Sequence, residues 1–146
     1  MQTWTEEHFD NLSWHDNHCY GLRVVAGEHG TGQLILDLDH ILEWRKASAE
    51  KFQFLIAPAV LTFNGVSELK VDLDYKAASA ALTPFSIHAI TRTLEKRERY
   101  TAKLWCIEVN WPEGEITFEA TGFEQKLKGE PILSNDMWLK DYRRGV

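Results

Sequence analysis

Apolar and polar residues alternate with period two along most of this chain, the spacing of strands with one buried face. The clearest run is residues 33–44. Leu34, Leu36, Leu38, His40, Leu42 and Trp44 fall on one face, and Ile35, Asp37, Asp39, Ile41 and Glu43 on the other. Residues 18–26 read as the strand before it, and the glycines of residues 27–32 suit the hairpin between them. Residues 52–63 predict a third strand, interrupted at Pro58, which cannot donate to a ladder and is expected at an edge or a bulge. Asn64-Gly65 then predicts a two-residue hairpin, with residues 66–75 as the fourth strand.

Residues 76–82 are alanine-rich and suit a helical turn or a loose crossover. Residues 87–94 and 100–111 make the next pair around a charged connection, and Pro112-Glu113-Gly114 turns the chain into another alternating strand at 115–120. Helical segments are expected only near the ends: a short turn within residues 5–13 and a final helix capped by Ser134. Seven to eight short strands without βαβ alternation predict an all-β, mainly antiparallel sandwich or open barrel with short terminal helical segments. Without a linker or composition break, residues 1–146 form a single domain.

One motif recurs on this pattern. Asp37-Leu38-Asp39-His40 and Asp72-Leu73-Asp74-Tyr75 each follow an apolar run, so each puts two carboxylates on one strand face. A meander of the second, third and fourth strands would place the tetrads on the two outer strands, about 10 Å apart. Asp37, Asp39, Asp72 and Asp74 are therefore expected on outward faces, where they keep the sheet wet, pair with internal cations or receive a basic partner.

Charge is uneven. Residues 1 to 73 hold 11 acidic and 5 basic side chains, whereas residues 74 to 146 hold 11 of each, so the net charge of −6 belongs to the first half. A net acidic chain opposes a phosphate backbone, and its densest basic stretch, Arg92 to Lys103, is interleaved with Glu95 and Glu98; no nucleic-acid partner is expected. Apolar content of 44% places the chain among packed globules, and of its six tryptophans Trp4, Trp111 and Trp138 lie near element ends, where they could face a contact surface. No apolar run is long enough for a membrane span, the first residues lack a secretory pattern, and a cytoplasmic location is expected. Cys19 and Cys106 sit in strand patterns without CxxC spacing and are expected as reduced, buried thiols.

Candidate chemistry is sparse. Trp14-His15-Asp16-Asn17-His18-Cys19 gathers transition-metal ligand types, so His15, Asp16 and His18, joined by His40 from the next strand, form a candidate metal or small-ligand site. The competing reading is a turn in which Asp16 or Asn17 bonds the backbone and His15 anchors the loop. No nucleophile elbow, phosphate loop or HExxH motif is present, so the sequence offers no catalytic residues and no cofactor, and a non-enzymatic role is favoured.

Leu12-Ser13-Trp14-His15-Asp16, the stretch from Leu34 through Asp39 to Glu43-Trp44, residues 56–63 and Gly114 to Phe123 together resemble a family of small bacterial β-rich proteins of unassigned function. The resemblance implies a bacterial, cytoplasmic, one-domain protein and brings no catalytic residues. The expected function is an acidic interaction module that binds a basic protein partner or self-associates, with the His15, Asp16 and His18 ligand site as the alternative.

Overall fold

The structure is a computed structural model that describes residues 2–76 and 82–140. It is all-β: nine strands in one antiparallel sheet, with a single 3-10 helix among the described residues, Glu6–Asn11. In chain order the strands are β1 (Thr3–Thr5), β2 (His18–Ala26), β3 (Gly32–Lys46), β4 (Phe52–Leu73), β5 (Phe85–Lys96), β6 (Thr101–Trp111), β7 (Gly114–Glu119), β8 (Gly122–Leu127) and β9 (Ile132–Ser134). None of the described helices is long and apolar enough to cross a membrane.

β4 organises the molecule. On one side it pairs with β3 from Phe52 to Val66; on the other it pairs in succession with β9, β8 and β7. Because β7 also joins β6, and β6 continues through β5 to β2 and β3, the pairings close a ring of six strands. The ring has one weak seam. β2 and β5 meet only at His18↔Ser86 and Cys19↔Phe85, then diverge, so the barrel is open at that point.

Asn64-Gly65 is not a hairpin. Gly65 does adopt the left-handed conformation (φ 61) that the dipeptide favours, but the chain bends within one continuous strand and leaves β3 for β7. The meander fails with it. Asp37 pairs with Val60, twelve residues before Asp72 on β4, so roughly 40 Å of strand separates the tetrads. Pro58 is neither at an edge nor at a bulge of β4: it pairs with Asp39 of β3, its carbonyl accepts from the Lys128 N–H (2.7 Å), and it stands where the other partner changes from β9 to β8. Nor does a helix follow Ser134 among the described residues; its hydroxyl accepts from the Asp136 N–H (3.1 Å) in a local turn. The crossover expected at residues 76–82 falls largely outside the described residues.

The barrel is filled by side chains rather than hollow. Leu34, Leu36 and Leu38 meet Ala59, Leu61 and Phe63 across the β3–β4 ladder, and Trp105, Ile107, Ile116 and Phe118 close the other side. A bulge between Ile41 and Glu43 then changes the facing of β3, so Trp44 lies opposite Phe54 with the Ile41 set rather than with Leu34 to Leu38 as strict alternation predicts. There Ile41, Phe54 and Ile56 form a second, smaller core with Leu139, Ile132 and Met137. Around Asp39 and Ile41 the outer face of β3 is thus covered by the C-terminal segment.

Candidate functional site

Residues 14–17 form a tight turn in which Asp16 takes a left-handed conformation (φ 62). Asn17 is fully buried and spends its side chain on β3: Oδ1 accepts from the Ile41 N–H (3.2 Å) and Nδ2 donates to His40 Nδ1 (2.9 Å). The imidazole of His15 stacks on Trp44 and hydrogen-bonds through Nδ1 to the His88 carbonyl (3.0 Å), while the ring of His18 packs on Trp138. His15 and His18 therefore point to different neighbours, His40 is buried beside Trp4, and among the described residues no group of three His, Cys, Asp or Glu side chains is placed to hold a metal ion.

The aspartates also separate. Asp39 is fully buried; its Oδ2 accepts from the Tyr20 hydroxyl (2.7 Å) and from the Leu139 N–H (2.7 Å). It does not lie on the exposed face expected of it, because the C-terminal segment roofs that face. Asp37 is half-exposed and paired with Lys128 (2.7 Å). Asp72 and Asp74 are exposed, as expected.

Around that second tetrad lies a cleft of about 830 Å³. Asp72 of β4 pairs directly with Glu115 of β7, and Glu115 directly with Glu108 of β6. Three carboxylates thus stand side by side on adjacent strands, a register in which like charges repel. Asp74 and Glu113 line the same cleft, and none of the five is in an ion pair among the described residues. By contrast, Arg92 and Lys103 of the basic stretch are both engaged by Glu6 (3.1 and 2.7 Å). Cys106, half-buried rather than fully buried, adjoins the acidic row, and burial together with Glu115 pushes its thiol up to about 11. Trp111 forms one wall and is 44% exposed.

A second cavity of about 520 Å³ opens on the other side of Trp111, over the β2–β5 seam. Cross-strand pairing sets Asp39, His18, Ser86 and Trp111 in one row across β3, β2, β5 and β6, on the face opposite Leu38, Cys19 and Phe85. Trp138, held in place through Leu139 and Asp39, covers this row. His18, Trp111 and Trp138 stand out in the sequence, whereas Tyr20, Ser86 and Lys140 come together only through strand pairing and the C-terminal segment. Glu108 and Glu115 likewise join Asp72 in an acidic row only once β7 pairs with both β4 and β6.

No family model matches this chain, and no curated protein and no solved structure matches it either.

Proposed function

We propose that the protein is a non-enzymatic binding module whose acidic cleft receives a basic segment of a protein partner. The observation that carries this reading is the in-register row Asp72–Glu115–Glu108, flanked by Asp74 and Glu113 and left without a cation among the described residues. Repulsion between directly opposed carboxylates costs the folded state something on the order of 0.2–1 kcal/mol per pair. An arriving lysine or arginine side chain removes that cost as it binds, and the exposed face of Trp111 offers a cation–π contact beside the carboxylates. Long-range attraction to such a surface raises association rates and falls with ionic strength.

The test is calorimetric titration with octa-arginine, octalysine and octaglutamate at low and high salt. The basic peptides should bind, more weakly as salt rises, and the triple variant Asp72→Asn, Glu108→Gln, Glu115→Gln should lose at least tenfold in affinity while staying folded. Equal affinity for the triple variant would overturn the reading. Sedimentation of the free protein at the same concentrations separates a basic partner from self-association.

A further inference from the structure

The cavity over the β2–β5 seam differs in sign from the cleft beside it. No carboxylate lines it among the described residues, one lysine does, and two tryptophans wall it: Trp111 and Trp138, 44% and 46% exposed. At about 520 Å³ it lies within the range of small-molecule sites, whereas the barrel interior is packed.

Its polar groups are held in place from behind. His18 Nδ1 lies 3.2 Å from the Asp16 carbonyl, so Nδ1 carries the hydrogen and Nε2 is left as an acceptor. Burial lowers the pKa of His18, which keeps the ring neutral near pH 7 and that lone pair in place. The Ser86 hydroxyl is bonded to Asn110 Oδ1, and Asn110 Nδ2 donates to Asp16 (3.0 Å), so the floor is one connected network. Tyr20 is oriented by its bond to Asp39 (2.7 Å). Lys140 stands beside Leu139 as the cation of the lining among the described residues.

We infer that this cavity binds a small planar aromatic carboxylate bearing a hydroxyl or N–H donor, its ring stacked on Trp138 and Trp111, its donor on His18 Nε2 and its carboxylate on Lys140. Two indole faces select an aromatic body. A neutral imidazole acceptor selects a donor on that ring, because an analogue lacking it leaves a buried lone pair unpaired. Lysine, in a lining whose described residues include no carboxylate, selects an anion over a cation. The cavity shares Trp111 alone with the lining of the acidic cleft, and the two select opposite charges.

The experiment titrates the full chain with 4-hydroxybenzoate, 3-hydroxybenzoate and 6-hydroxy-2-naphthoate by calorimetry, with benzoate and 4-hydroxybenzamide as the analogues lacking the donor and the charge. At least one hydroxyaryl carboxylate should bind below about 1 mM, with benzoate about tenfold weaker if it is the parent. Lys140→Gln should abolish the preference for 4-hydroxybenzoate over its amide, and Trp138→Ala should weaken binding at least tenfold. In the unaltered protein, ligand should shift the indole N–H resonances of Trp111 and Trp138, assigned with Trp111→Phe and Trp138→Phe. The inference is overturned if no hydroxyaryl carboxylate binds below that concentration, or if binding moves neither resonance. Loss of octa-arginine binding by the acidic-row variant, with hydroxyaryl binding intact, distinguishes the two sites.

Discussion

Four buried polar side chains, Asn17, Asp39, His40 and Gln125, show how single residues tie distant segments together. Gln125 Oε1 accepts from the Trp14 indole (2.8 Å), Asn17 joins the turn to β3, and Asp39 anchors Leu139. His40 carries a pH consequence. Burial depresses its pKa from 6.5 to about 4, so between those values the unfolded chain takes up a proton that the folded chain refuses. Its share of stability is therefore intact above about pH 6.5 and is lost progressively as pH falls toward 4, by up to about 3 kcal/mol. Urea midpoints of the protein should drop steeply over that window, and His40→Gln, which keeps an acceptor for Asn17, should flatten the drop. A variant with an unchanged pH slope would show that His40 is not the group responsible. His18, also lowered by burial, contributes in the same direction and accounts for part of the slope left in the variant.

At the scale of elements, the informative corner is the one where β4 changes partner. Gly65 has φ 61, and a Cβ there would stand 2.8 Å from Thr121 Cγ2, while the Thr121 N–H and hydroxyl both donate to the Asn64 carbonyl (2.9 and 3.1 Å). The bend of β4 and the step from β7 to β8 are one packed unit. Gly65→Ala should cost about 1–3 kcal/mol in chemical denaturation, from backbone strain and from the clash. Adding Thr121→Ser, which removes the Cγ2 methyl, should restore part of that loss; an additive or neutral second substitution would dissociate the two bends. The strands themselves were legible from alternation, β2 to the residue and β6 within one. The partner of each was not. Asn64-Gly65 signals a positive φ correctly, yet a positive φ serves a bend as well as a hairpin, and only the position of β7 and β8 decides between them.

Over the whole molecule, charge is arranged in opposite ways at different places. Glu6 neutralises Arg92 and Lys103, and the Arg92 guanidinium also lies 4.8 Å from the centre of the Phe9 ring, so these two cations offer little open charge. The acidic row keeps its repulsion. Thermal midpoints of the unaltered protein should therefore rise between about 20 mM and 300 mM salt as screening sets in. The triple variant Asp72→Asn, Glu108→Gln, Glu115→Gln should start higher at low salt and rise less. If it melts lower at low salt, the carboxylates are stabilising and the row has a structural role instead. Of the candidate site, Asp72 and Asp74 were readable as an exposed pair, because alternation at a strand end is local. Glu108 and Glu115 were not, since their alignment depends on the β4–β7 and β6–β7 registers.

Period-two alternation alone determines that this chain is all-β, because the pleat sends neighbouring side chains to opposite faces wherever the strand lies. It also marks the core-facing residues of β3 from Leu34 to Leu38, and those of β6 and β7, whereas in β2 a bulge between Cys19 and Gly21 breaks the alternation. Tertiary structure decides what covers the opposite face. Asp39 reads as an outward carboxylate by every local rule, yet Leu139, a hundred residues away, lays the C-terminal segment over it and turns it into a buried anchor. Asp72, with the same local pattern, has no such cover among the described residues and stays in the open cleft. Burial of a strand's second face is a property of the segment that packs on it, and the strand's own residues do not encode that segment's path.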